Sequence, residues 1–203
     1  MTRRTKDPIA TRARIMQSAG EEYCRMGFQA ARLNAIVEHS GITKGSLFHH
    51  FSGKDDLALS WMQETLPPML EKRWIQPLQT STDPIDSLKD ILRGCAQAFE
   101  KNAAEEPGMD HMATLTASLP PSDVALHQAM MEIQQNWHRA VSDALLQGQQ
   151  QKRVHAAIVA SDEARLIIGM ALGMELQFKS TGASVMSGWL RSAYAYLETL
   201  RPA

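Results

Sequence analysis

Gly41 does most to limit what this chain can fold into. It stands between two apolar-patterned stretches, Leu33–Ser40 and Thr43–His50, each too short to persist as a free helix. A glycine there supplies the left-handed backbone that turns one helix sharply into the next. Ile36 and Val37 give the first stretch an apolar face, and Ile42 follows the glycine as a plug between the helices. Thr43 is a good N-cap, its hydroxyl placed to accept a backbone N–H. Leu47 and Phe51 face inward at helical spacing. That leaves Lys44, Gly45, Ser46, Phe48 and His49 on or near the outside. The pair reads as a helix-turn-helix, and a short helix presenting Lys, Ser, Phe and His at its N-terminal end suits a DNA major groove.

Charge distribution agrees with that reading. Net charge is −1, but residues 1–60 hold nine Lys and Arg against six acids (+3), and the remainder holds 12 against 16 (−4). A basic head on an acidic body fits a protein that presents one end to phosphates. The 203 residues suffice for one small DNA-reading domain and a larger one, with a core that needs no staples. Cys24 and Cys95 make no disulfide framework. No signal peptide opens the chain and no apolar run approaches the ~20 residues of a membrane span, so a cytoplasmic, soluble protein without a membrane partner is expected. No nucleophile elbow, HExxH or phosphate-cradling glycine loop occurs, so neither an enzyme nor a cofactor is expected. His49 and His50 are adjacent, about 100° apart on a helix, and do not form a metal pair.

The rest reads as helices, with no alternation convincing enough for strands. Met1–Pro8 is a basic arm, either frayed or reaching a DNA backbone. Ile9–Met26 carries an apolar stripe of Ile9, Ala13, Met16, Ala19, Tyr23 and Met26, and Gly27 ends it. Arg12 and Arg14 in its first turns are either solvated or set against phosphate. A fourth helix starts near Lys54, with Asp55 and Asp56 at its positive end. It must kink or stop at Pro67–Pro68, as a hinge or a simple break. Glu105–Asp110 reads as a loop. Further helices are expected from Pro84 to about Asn102, over Met112–Ser118, from a Ser122 or Asp123 cap to about Gln151, from Ser161, and over Ser184–Leu200. That makes about nine. The helix from Ser161 sets Ala164, Ile167, Ile168, Ala171, Leu172, Glu175 and Leu176 at heptad-like spacing. Gly169 and Gly173 give it a second, smooth face.

GITKGSLFHHFSGKDDL, Gly41–Leu57, resembles the recognition segment of TetR-family transcriptional regulators, whose usual form is GVSKGTLYHHFxSKEDL. Gly27–Phe28 and the preceding helix match in position too. The likeness is specific over roughly Ile9–Leu59 and architectural beyond. It implies an all-α fold with a DNA-binding domain at 1–53 and a ligand-binding and dimerisation domain at 54–203. It further implies a homodimer on double-stranded DNA, a repressor of a palindromic operator released by a small, mostly apolar inducer. Two departures stand out. Ala31 and Arg32 replace the hydroxyl residues that cap the motif and touch phosphate, and Phe48 replaces a tyrosine whose hydroxyl meets one. Arg32 can restore a phosphate contact by charge; Phe48 cannot donate a hydrogen bond. The expected DNA contacts are Arg32, Thr43, Lys44, Gly45, Ser46, Phe48, His49 and Lys54, with Lys44 foremost.

The body is rich in methionine and aromatic residues, which make either an ordinary core or the lining of an apolar pocket. Since such regulators hold their inducer in the body, Trp61, Met62, Cys95, Phe99, Met112, Met130, Trp137 and His138 are the candidate ligand contacts. Ile168, Leu172, Trp189 and Tyr194 are the candidate dimer contacts, in a four-helix interface. Part of the body also resembles family members that sense electrophiles, some with Gly-Cys where this chain has Gly108–Met109. Without that thiol, sensing there is not expected, and Cys95 is either a second candidate or an inert buried residue. The rival reading is an all-helical interaction protein whose head binds a protein partner.

Overall fold

Side-chain caps set where several helices begin in the computed structural model, which describes residues 7–100 and 109–202. Asp7 accepts the N–H groups of Ile9 and Ala10 at 3.0 and 3.2 Å and starts α1 (Pro8–Ala30). Thr43 starts α3 (Lys44–His50), which follows α2 (Leu33–Ser40). After α4 (Lys54–Leu70) and α5 (Gln76–Thr80), Asp83 accepts from Ile85 and Asp86 at 3.0 and 3.2 Å and starts α6 (Pro84–Glu100). α7 (Met112–Ala117) is short. Asp123 takes the Leu126 N–H at 3.0 Å to start α8 (Val124–Gln150). α9 (Ala160–Thr181) and α10 (Met186–Thr199) close the chain. Most of the Met1–Pro8 arm and of the Glu105–Asp110 loop lies outside the described residues. Among those described there is no strand, and no helix is long and apolar enough to cross a membrane. The fold is all-α.

Two features differ from the pattern read in the sequence. The stripe that α1 buries is Ile15, Ala19 and Tyr23 with Ser18 and Glu22, while Ile9, Ala13 and Met26 are exposed. Apolar periodicity misplaces the face because it passes over a glutamate that is buried with partners of its own. Nor does α4 stop at Pro67–Pro68. It continues through a π turn (Glu71–Ile75) into α5 as one rod, so the ten α segments among the described residues make nine rods. Each proline costs a helix a hydrogen bond and adds a clash. Leu66, Leu70, Trp74 and Leu78 outweigh that cost, a buried stripe running straight past the prolines. Their spacing of four overshoots the 3.6-residue turn, and the wider π turn takes up the excess.

The head, α1 to α3, and the body share one continuous core. The boundary expected between residues 53 and 54 falls between α3 and α4, but Trp61 of α4 packs edge-on against Tyr23 and Phe28 of α1, at 5.4 and 6.1 Å. The body stacks the long rod on α8, α8 on α9, and α10 on α6. α7 lies between α1 and α9, held at one end by Glu175. That buried carboxylate accepts the Ala113 and Thr114 N–H groups at 2.6 and 3.0 Å, satisfying donors that a helix start leaves open.

At the other end of α7 the backbone passes very close to the head. Gly27 has φ 76°, and a Cβ there would come within 2.4 Å of the Ser118 Cβ. Gly41 has φ 63° with nothing within 4 Å of its would-be Cβ. Gly41→Ala should therefore cost only its left-handed strain, about 1 kcal/mol. Gly27→Ala should cost clearly more, because the same strain is joined by a clash with the body. Thermal unfolding of the two variants checks the order.

Candidate functional site

The turn between α2 and α3 is closed by Gly41 in the left-handed region, its N–H bonded to the Glu38 carbonyl at 3.2 Å. Thr43 Oγ1 accepts the Ser46 N–H at 3.1 Å, which fixes the first turn of α3. Leu47 and Phe51 are buried behind it. Lys44, Gly45, Phe48 and His49 face outward, with Ser46 half-buried. Phe48 keeps 47% of its surface in water. His50 is half-buried, its ring 5.5 Å from that of His49 and 6.4 Å from that of Phe51. The outer face of α3 thus offers a cation, a smooth backbone, an apolar ring and an imidazole in two turns.

The flanking cations have unequal freedom. Arg32 holds its guanidinium in solvent, while its backbone N–H donates to Glu22 Oε1 at 3.2 Å. Glu22 is 1% exposed and also pairs with Arg25. Burial pushes its carboxyl up, but the bonds from Arg25 and the Arg32 N–H outweigh it and hold the group below the usual range. Lys54 donates to the Gln29 carbonyl at 2.6 Å and ties the start of α4 to the end of α1. Arg12 is gripped by both oxygens of Glu64 at 2.6 Å and lies 5.1 Å over the Phe51 ring. Arg14 is exposed.

In the body, the candidate ligand residues are spread over several places. Cys95, Phe99 and Trp137 line one small cavity, together with Trp74, Asp110, Leu172 and Glu175. Trp61 and Met62 lie in the junction core beneath the head, and Met112 and Met130 are buried as packing. His138 lines an outer groove between α8 and α9 and hydrogen-bonds the Ser161 carbonyl through Nε2 at 2.9 Å. The Cys95 thiol is pushed up to about 12 by burial, so it stays protonated at neutral pH and is a poor nucleophile. Gly108 lies outside the described residues.

Sequence reasoning missed the charged side of this cavity. Arg73, on the π turn, donates to Asp110 Oδ2 at 2.8 Å and reaches Cys95 Sγ at 3.7 Å. Burial pushes the Asp110 carboxyl up, against the pull of Arg73. Asp110 Oδ1 and Trp137 Nε1 are buried with no hydrogen-bond partner among the described residues. Arg73 and Asp110 also line an outer cleft of about 560 Å3 between the π turn and α6. Nothing in the sequence pairs residues 73 and 110; only the proline-rich stretch hinted at irregular winding.

Of the candidate dimer residues, Ile168 and Leu172 line the groove between α8 and α9, and Trp189 is half-buried. Leu166 and Leu176 are 56% and 55% exposed on α9. A Cβ at Gly169 or Gly173 would meet nothing within 4 Å. Tyr194 instead faces α6, donating to the Lys89 carbonyl and accepting from Arg93, each at 3.2 Å.

Residues 15–60 match the family model of bacterial regulatory proteins, tetR family. A transcriptional repressor, KstR2 of Mycolicibacterium smegmatis, is 28% identical over 116 residues, 57% of this chain. That match spans little more than half, 56%, of the relative's own length. A TetR-family regulator from Agrobacterium tumefaciens superposes with TM-score 0.85 at 19% identity, over 97% of this chain and all of its own. AibR, solved with isovaleryl coenzyme A and operator DNA, gives 0.73 at 18% identity over 95% of this chain and 100% of its own.

Glu22 provides a pH test of the head. A carboxyl depressed in the fold adds stability that is present above its ordinary value of about 4.5 and lost as pH falls through the depressed one. Glu22→Gln should lower stability at pH 7 by about 1–3 kcal/mol and shrink the loss on acidification to pH 4. Denaturation midpoints at the two pH values measure both.

Proposed function

Because the chain belongs to the tetR family of bacterial regulatory proteins, we propose that it is a ligand-responsive DNA-binding transcriptional regulator. It works in the cytoplasm as a homodimeric repressor of a palindromic operator, and a small, mostly apolar inducer releases it. The observation that carries this reading is the outer face of α3: Lys44, Gly45, Phe48 and His49 stand outward on a helix capped by Thr43 and backed by Leu47. Lys44 leads the groove contacts, and Arg32 lies at the start of α2 for phosphate. Thr43 and Ser46 chiefly hold the helix start. Lys54 acts on DNA less directly, through the Gln29 carbonyl that it grips. The repressor among the relatives and the operator DNA in the AibR complex support the assignment, and the family is one of DNA-binding regulators rather than enzymes.

The dimer forms through α9 and α10. Ile168, Leu172 and Leu176 recur every four residues as an apolar strip, Leu166 adds a separate exposed apolar side chain, and the open glycines let a second backbone approach. Trp189 flanks the strip, whereas Tyr194 serves its own chain. Two α3 helices then lie about 34–36 Å apart, one turn of DNA. The inducer sits in the body and favours a form with the wrong separation, so inducer and operator weaken each other equally. Of the candidate contacts, Cys95, Phe99 and Trp137 serve it, while Trp61, Met62, Met112 and Met130 serve as packing.

On a duplex selected by the purified protein from random fragments, affinity should fall steeply with salt. Lys44→Ala should weaken binding at least about tenfold and flatten the log–log salt slope by about one, with the dimer intact. A salt-insensitive partner would point to protein recognition instead. Leu172→Asp should sediment as a monomer; an unaltered dimer would move the interface elsewhere.

A further inference from the structure

Two buried polar groups of opposite type on the wall of the body's inner cavity have no hydrogen-bond partner among the described residues. Asp110 is 9% exposed, and its Oδ1 is an open acceptor. Trp137 is 2% exposed, and its Nε1–H is an open donor. Buried polar groups are almost always paired, so an acceptor and a donor left open in one cavity are an unusual expense. Glu175, on the same wall, shows the usual state, since its oxygens accept from Ala113, Thr114 and Lys179.

The space there is small. The free space is about 10 Å3, room for one oxygen atom with its hydrogen. Asp110 also forms part of the wall of the outer cleft, which holds about 560 Å3 and sets the apolar sides of Met69, Pro77 and Ile91 beside the charged Lys72, Arg73, Asp86 and Asp90. Asp110 is thus the residue shared by the two walls, while its ion-pair partner Arg73 lines the cleft. Arg73 belongs to the π turn, a local winding common at functional positions, and its side chain is partly exposed to the cleft.

We infer that the inducer is a neutral molecule with a ring-sized apolar body and one hydroxyl group. Resting on the ligand-responsive reading above, the inference assigns the apolar body to the cleft and the hydroxyl to the inner cavity. There the hydroxyl donates to Asp110 Oδ1 and accepts from Trp137 Nε1–H. One hydroxyl answers both open groups, which neither a bare hydrocarbon nor an ether can do. Charge is selected against from both sides. An ammonium group has no lone pair to accept the Trp137 Nε1–H, which would stay unpaired. A carboxylate would face Asp110 and Glu175. A buried charge without a partner is the costlier error, so the site prefers a neutral guest. Arg73 need only swing within the cleft wall to let the hydroxyl pass.

The test uses the full chain and four probes of one size: phenol, toluene, benzoate and benzylamine, titrated by calorimetry. Phenol should bind at least about tenfold tighter than the other three, the margin expected when buried partners are otherwise left unpaired. Trp137→Phe keeps the aromatic wall and removes only the N–H. It should leave the melting temperature unchanged or raise it, and erase the preference for phenol over toluene. Gly94→Leu fills the cleft from a position where a new Cβ meets only Arg73, at 3.9 Å, and should abolish phenol binding while the fold persists. Equal binding of phenol and toluene, tighter binding of a charged probe, no binding of any probe, or a preference that survives Trp137→Phe would each overturn the inference. Duplex binding by the same samples separates the two levels. If the protein holds its selected duplex but fails to discriminate the probes, only the hydroxyl assignment falls. If it holds no duplex, the regulator reading falls with it.

Discussion

The close passage of Gly27 over Ser118 joins the two ends of the molecule. No side chain but hydrogen fits there, and the approach lets the Phe28 N–H donate to Ser118 Oγ at 2.9 Å. Gln29 Nε2 reaches the Leu119 carbonyl at 3.2 Å, and its own backbone carbonyl receives Lys54. The end of α1, the start of α4 and the end of α7 are therefore locked in one small volume. Because Trp61, Tyr23 and Phe28 pack directly beside it, the head cannot tilt without disturbing aromatic contacts that are rigid and specific in geometry.

α7 gives that joint its reach. It is too short to stand alone and survives because each end is held by other elements. Glu175 holds its first N–H groups, and Ser118 and Leu119 at its far end hold the head. Asp110, just ahead of it, pairs with Arg73 on the long rod. The helix is in this sense a strut between the polar cavity and the head. The contrast between the two carboxylates near it is informative. Glu175 has every oxygen engaged and serves structure, whereas Asp110 has one oxygen engaged and one open.

The head and the α9 surface solve different problems with similar means. In the head, Leu47 and Phe51 are buried so that the opposite side of α3 can be polar and accessible. On α9, Ala164, Ile167 and Met174 are buried while Leu166 and Leu176 stay in water, so the helix is apolar on both sides. Arg165 and Gln177 are exposed beside those leucines, and this mixed face is the one proposed above for contact with a second copy.

Local chemistry decided much of this in advance. Caps at Thr43 and Asp123 and the turn at Gly41 were legible because each depends on residues within one helical turn. The all-α class followed from apolar periodicity, and so did the inward faces of Leu47 and Phe51. Periodicity failed where burial was polar or winding irregular. Glu22 turned the face of α1, and the stripe from Leu66 to Leu78 carried α4 past two prolines expected to kink or stop it. The cavity was half visible, as an enrichment in aromatic and methionine residues, and half hidden. Arg73 and Asp110 are 37 residues apart, Glu175 and Thr114 61, Arg12 and Glu64 52. By itself, then, the sequence determined the helices, their caps and the outward face of α3. Only the tertiary structure decided which charges meet in the interior, because their partners come from distant turns and no local pattern records such a meeting.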